Sequence, residues 1–413
     1  MRHILFLAHR MPFPPDRGDK IRSHNVLKAL ARLAPVHVAT FADDAADWSC
    51  EPQLAQLART YCLVARRKSV PVAAVQAIVR RRPVSLTAFE DQRIRAYVET
   101  TLRAHEIGAI YVFSGQMAQY VPADFRGRVV ADLVDVDSAK FEAYGAAGHG
   151  PRQWMERREA KLLAAEEQRI VHFADETVLI SREEAALLAG RVASPHRPFA
   201  VLGNGIDAAA FAPDAVEPDA GMVEAGFPRI IFTGQMDYAP NIAGVERAAR
   251  EILPRIRQAF PQASFHIVGR NPSREVSALA QIDGVTVWGR VADVRPFLKA
   301  ADAALVPLAI ARGVQNKVLE AMAMALPVVL TSGAATGIAA QDDTHFLVRD
   351  EDDAMAQALV TLARDRSAAA SLGQRARDWI CAHASWEAAL AELPRLCGFA
   401  MPEPCATHMH GAM

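Results

Sequence analysis

The stretch GVQNKVLEAMAMALPVVL (Gly313–Leu330) places a glycine turn, an amphipathic helix and a buried strand in direct succession. At about 3.6 residues per turn, Asn316, Lys317 and Glu320 share one helix face, so an amide, an ammonium and a carboxylate project together. The start of such a helix carries free N–H groups and the positive end of the dipole, which suit an anion such as a diphosphate. Lys317 adds a full charge there, and Glu320, one turn deeper, can accept two hydroxyl hydrogen bonds. Diphosphate beside a vicinal diol describes a nucleotide. The competing reading is a Lys–Glu pair on a solvated face.

Outward from this segment, short apolar runs alternate with helical patterns. Strands are predicted at His3–His9, Val36–Phe41, Ala109–Phe113, Arg128–Val134 and Thr177–Ile180, with helices near Ile21–Leu33 and Trp154–Phe173 between them. After a break at 194–198 the pattern restarts at Phe199–Leu202, Ile230–Thr233, Ser264–Val268, Val285–Val287, Ala303–Val306 and Val328–Leu330, with a long helix at Ile242–Phe260. Such alternation implies parallel sheets with crossover helices. The expected organisation is an α/β chain of two doubly wound domains, 1–195 and 196–380, facing across a cleft at their strand ends. Helical patterns continue at Asp352–Arg364, Ala368–Ala384 and Trp386–Leu396, and the tail 401–413 is expected to be disordered.

Composition narrows the class. A chain of 413 residues exceeds the size of a single core, and 51% hydrophobic with 23% charged residues is ordinary for a globular enzyme. The 46 basic and 47 acidic residues nearly cancel, so no nucleic-acid partner is expected. Five scattered cysteines without a CxxC suggest reduced thiols, and neither a signal peptide nor a spanning segment is evident, so a cytoplasmic location is expected. Acidic residues are absent between Glu51 and Glu90, where Arg59, Arg66, Arg67, Lys68, Arg80, Arg81 and Arg82 flank the apolar run Val70–Val79. This 59–82 segment can rest on an anionic membrane surface, at the inner face of the cell membrane, or form an ordinary solvated helix.

Several motifs add candidate contacts. In FTGQMDYAPN (Phe232–Asn241), Gly234 at a strand end allows close backbone approach to a ligand, with Gln235 beside it, and Asn241 is placed to cap the next helix. GNGID (Gly203–Asp207) reads as a turn with Gly205 at positive φ. Gly18, before the first long helix, can present backbone N–H groups, and Lys20 and Arg22 can meet anionic groups or form a solvated helix start. Asp132, Asp135 and Asp137 lie at a strand end; an Asp-x-Asp there can chelate a divalent cation, cap a turn or meet a sugar hydroxyl. The single histidines His9, His24 and His37 read as local partners.

Together, NKVLEAMAMALPVV, FTGQMDYAPN, GNGID and GRVADVRPFLKAADAALVPL resemble the GT-B retaining glycosyltransferases of glycosyltransferase family 4. RMPFPPDRGDKIRSHNVLKAL, VDVDS and RGVQNKVLEAMAM resemble more narrowly the exopolysaccharide sugar transferases found with the PEP-CTERM/exosortase system. The similarity runs from about residue 3 to 397. It implies two Rossmann-like domains, with a nucleotide-sugar donor held by the second and a saccharide acceptor, lipid-linked or free, at the first. It also implies a C-terminal helix over 381–400 crossing back to the first domain. By the same resemblance Glu320 holds the donor ribose, Lys317 the diphosphate, and Gly289–Val291, with Arg290, borders the base. The implied chemistry is metal-independent front-face transfer with retention, and no cofactor is expected.

This chain departs from the family pattern at three places. Arg312 stands where a glutamate usually contacts the donor sugar, Gln235 and Asn241 replace an Arg/Lys pair, and Asp135 replaces a histidine. Diphosphate binding is therefore expected to rest on Lys317, Arg312 and the N–H groups near Gly313 and Gly234, with Asp135 ordering a hydroxyl. A nucleotide-sugar 2-epimerase of the same fold and a non-catalytic saccharide-binding scaffold are the alternatives.

Overall fold

The computed structural model describes residues 2–15, 17–147, 150–193, 197–309 and 314–400. The tail 401–413, and with it the expectation of disorder, lies outside the described residues. The chain divides into two compact units, one built from the residues up to Asn204 and those from Ala389 onward, the other from Gly205–Ala388.

In the first unit, β1 (His3–Ala8), β2 (Val36–Ala42), β3 (Thr60–Ala65), β4 (Ile107–Phe113), β5 (Arg128–Val134), β6 (Glu176–Leu179) and β7 (Ala200–Val201) form a parallel sheet in the order β3-β2-β1-β4-β5-β6-β7. In the second, β8 (Arg229–Thr233), β9 (Ser264–Val268), β10 (Val285–Gly289), β11 (Ala303–Val306), β12 (Val328–Leu330) and β13 (Leu347–Val348) pair in the order β10-β9-β8-β11-β12-β13. Both orders reverse beside their first strand, between β1 and β4 and between β8 and β11. The central strands are buried along nearly their whole length, as a sheet covered by helices on both faces requires.

The helices used below are α1 (Gly18–Leu33), α2 (Val70–Arg80), α3 (Gln92–Ala104), α4 (Gly150–Phe173), α5 (Ala239–Arg247) and α6 (Asn316–Ala323). Helix α5 continues through a π turn at Ala248–Ile252 into Leu253–Ala259. Pro254, which has no N–H to donate, sits at the exit of that turn.

Three expectations need correction, and two strands were missed. The run at 199–202, read as the start of the second half, is the edge strand β7, paired with β6 through Val178↔Ala200 and Leu179↔Val201. A proline-rich break in sequence therefore did not mark the end of the first sheet. Gly205 does not have positive φ; a Cβ there would lie 2.5 Å from the backbone nitrogen of Trp386, so a close chain crossing requires the glycine. The pattern Trp386–Leu396 is two short turns, Trp386–Ala389 and Leu393–Leu396, the second packing against α1. Strands β3 and β13 escaped the reading because one is only partly buried and the other spans two residues.

Candidate functional site

The second sheet brings its chemistry to the carboxyl ends of β8–β10. Gly234 follows β8 with φ +154°, and a Cβ there would meet Asn241 Nδ2 at 3.0 Å and Lys317 Cε at 3.2 Å. Its N–H donates to Val268 O at 3.1 Å, so Gly234 contributes space rather than the free donor anticipated from sequence. Gly269 follows β9, and a Cβ on it would fall 1.7 Å from Gly234 O. Gly289 closes β10 at φ +68° and accepts from Gly269 N at 2.9 Å. Three neighbouring strands thus end on glycines, which lets their backbones step past one another. Sequence reasoning picked out Gly234 at its strand end, and Gly289 only through the family resemblance; it passed over Gly269, whose signal was the same strand-then-glycine ending.

Lys317, on the first turn of α6, is half-buried over the end of β8. Its Nζ donates to Asn241 Oδ1 at 2.7 Å and lies 4.7 Å from the centre of the Phe232 ring. Burial pulls its pKa from 10.5 to about 8, with Glu320 acting in the opposite direction. Burial likewise raises Glu320, and Lys317 holds it down. Asn241 is buried at the third position of α5, so it is not the helix cap expected from sequence; Tyr238 occupies that place. Instead its amide donates to Gln235 O at 2.8 Å, which turns Oδ1 toward the ammonium.

Asn316 opens α6 and is exposed. By position, the N–H groups of Asn316 and Lys317 have no intrahelical acceptor. Gln235 is exposed and accepts from Arg270 at 3.2 Å through Oε1, and Arg290 is exposed immediately after Gly289. Arg312 and Gly313 lie outside the described residues. The arrangement offers one ammonium, two helix-end amides and a carboxylate around backbone that approaches without side chains, a combination able to hold a phosphorylated, hydroxylated anion.

The first unit revises the remaining candidates. Gly18 is the exposed first residue of α1, not part of a loop. Lys20 and Arg22 are buried and turn inward rather than toward a ligand: Lys20 pairs with Asp47, and Arg22 Nη2 lies 3.0 Å from Asp132. Asp132 also accepts from the Tyr111 hydroxyl at 2.8 Å, so it is an internal counter-ion and not a residue of the strand edge. Asp135 is exposed just past β5, and Asp137, whose carboxyl is raised by burial, accepts from Gln116 at 3.1 Å. Both line a small recess with Gln116 and Glu167.

His9, read as a local partner, sits at the end of β1 where the sheet order reverses. Its Nε2 lies 3.5 Å from Asp19, while its buried Nδ1 has no hydrogen-bond partner among the described residues. A histidine after the first strand of a doubly wound sheet was the available signal.

A family model described as glycosyl transferases group 1 matches residues 227–365, about a third of the chain. A search of curated proteins finds no match. Among solved structures, the chain is similar to Anabaena HepE crystallised with UDP and glucose (TM-score 0.58, 15% identity, 96% of this chain and 100% of that one). It is also similar to WaaG, a glycosyltransferase of lipopolysaccharide biosynthesis (0.56, 16%, 96% and 100%). A third is the sucrose-phosphate synthase of Thermosynechococcus elongatus (0.55, 17%, 96% and 98%). These likenesses establish the fold: two Rossmann-like domains of the GT-B class.

Proposed function

We propose that the protein is a metal-independent, retaining glycosyltransferase that moves a sugar from a nucleoside-diphosphate donor to a saccharide acceptor, lipid-linked during exopolysaccharide assembly. The carrying observation is the cluster of Gly234, Asn241, Lys317 and Glu320 at the β8/β11 reversal, inside the segment that the glycosyl transferase model matches. Structures similar in fold were crystallised with UDP and with UDP-glucose, which supports a nucleotide-sugar donor here.

In this reading Lys317 and the N–H groups opening α6 receive the diphosphate. Negative charge builds on that group as the glycosidic bond breaks, and donors already in place offset it without reorganising. Glu320 accepts from the ribose hydroxyls, and Gly289 and Arg290 border the base. Gln235 and Asn316 flank the phosphates, with Arg312 and Gly313 assigned to the same anion. The departing phosphate takes the acceptor's proton as the new bond forms on the same face. In the first unit, Asp135 is assigned to an acceptor hydroxyl, and Gly18 leaves room for the saccharide.

Contact with an anionic membrane is part of the proposal. Helix α2 turns Ala73 and Ala77 inward and exposes Val72, Val75, Ile78 and Val79, the reverse of a solvated helix. Much of the neighbouring positive charge is compensated, since Arg80 and Arg82 pair with Glu90 and Arg66 with Asp43. The apolar face, more than the charge, supports this part.

The decisive experiment is a panel of nucleotide sugars with nucleoside-diphosphate release as readout, run with and without EDTA and with and without membrane extract. Release that requires an acceptor and survives EDTA supports the assignment. Donor consumption without acceptor points to an epimerase, and loss with EDTA to a metal-dependent mechanism. Calorimetry on Glu320→Ala and Lys317→Ala provides the site test: unchanged nucleotide affinity in both sinks the donor site.

A further inference from the structure

Three histidines far apart in sequence converge at the amino-terminal edge of the first sheet, opposite the strand ends discussed above. His3 opens β1, His37 lies in β2, and His105 caps the end of α3 immediately before β4. The order β2-β1-β4 makes these three strands neighbours. Their rings stack, with centroids 5.1 Å apart for His3–His37, 5.2 Å for His3–His105 and 4.3 Å for His37–His105. One nitrogen from each lies within 4.8 Å of the other two, and His3 Nδ1 is 2.8 Å from His37 Nε2. Two nitrogens on a tetrahedral zinc are about 3.3 Å apart for bonds near 2.05 Å, so the first pair is close to ligand spacing, and the His105 ring must turn out of its stack on His37 to direct a lone pair at the same ion.

We propose that His3, His37 and His105 form a binding site for a zinc-class divalent transition metal, tying together the starts of β1, β2 and β4. The outer sphere is already in place. His37 Nδ1 lies 2.7 Å from Thr60 Oγ1, which in turn lies 2.6 Å from the Tyr97 hydroxyl. With Nδ1 donating to Thr60, the His37 Nε2 lone pair faces the cluster, the arrangement that orients ligating histidines. His37 is fully buried whereas His3 and His105 are partly exposed, so the site has a fixed inner ligand and a solvent side where a water completes the coordination. Three imidazoles with one open position suit zinc, copper or nickel better than magnesium or calcium.

The test uses the full chain with His408→Ala and His410→Ala, which removes the tail histidines as competitors, stripped with EDTA and titrated with Zn2+ by calorimetry and with Co2+ by visible absorption. One Zn2+ per chain at micromolar affinity or tighter, with the absorption bands of tetrahedral Co2+, supports the site. His3→Ala and His105→Ala should each weaken Zn2+ binding at least thirtyfold while leaving the metal-free Tm within about 2 °C, because both replace partly exposed side chains. Absence of stoichiometric binding, or binding unchanged in both variants, overturns the proposal. Nucleotide affinity should not respond to either variant, so the result stands apart from that of the donor site.

Discussion

Replacing Lys317 by methionine separates binding from folding, because the ammonium is poorly solvated in the free protein. Its pKa of about 8 against an ordinary 10.5 corresponds to roughly 3 kcal/mol against the charged form, which partial exposure reduces to about 1–2 kcal/mol. Methionine removes that penalty. It also removes the 2.7 Å hydrogen bond to Asn241, leaving Oδ1 without its donor at about 1–2 kcal/mol, and the contact with Phe232, worth about 1 kcal/mol. These terms oppose one another, so the variant should melt within a few degrees of the parent. A charge-assisted hydrogen bond to diphosphate contributes about 1.5–3 kcal/mol, so the nucleoside-diphosphate Kd should rise roughly 10- to 150-fold. Calorimetry and thermal melts on the same samples read both quantities. A Kd within threefold of the parent, at unchanged Tm, would refute the assignment of Lys317 to the anion.

The pH dependence follows with a definite sign: an anion binds the protonated lysine, so affinity should be flat below pH 8 and fall above it, about tenfold by pH 9, and Lys317→Arg should remove that alkaline loss. Gly269→Ala would drive a methyl to 1.7 Å from Gly234 O, so denaturant unfolding should show a loss of roughly 2 kcal/mol or more and nucleotide binding should drop with it. Arg22→Met strands the buried Asp132 without a counter-ion, leaving it the Tyr111 hydroxyl and the Val134 N–H; a cost of about 3–5 kcal/mol is expected, mostly recovered by adding Asp132→Asn, and a cost below about 1 kcal/mol contradicts the internal ion pair. Val75→Asp with Val79→Asp, both on the exposed face of α2, should abolish sedimentation with anionic vesicles while sparing nucleotide binding.

Hydrophobic alternation and chain length sufficed to read a two-domain α/β protein, and the face carrying Asn316, Lys317 and Glu320 followed from helical spacing alone. The strand-ending glycine Gly234 was legible for the same reason, since each property belongs to a few consecutive residues, whereas Gly289 entered only through the family resemblance. What a side chain turns toward depends instead on which strands become neighbours, and no local pattern encodes that. Sheet order gave Arg22 a partner 110 positions away and set Lys317 against Asn241, 76 positions distant, so that one apparent ligand contact became an internal counter-ion and one apparent helix cap became the anchor of an ammonium. It also assigned 200–201 to the first sheet and gathered His3, His37 and His105, of which only His37 was singled out in sequence and then as a local partner, onto a single edge. Periodicity reports which face is apolar; only the tertiary pairing of distant strands decides which charges are neutralised inside and which remain to meet a ligand.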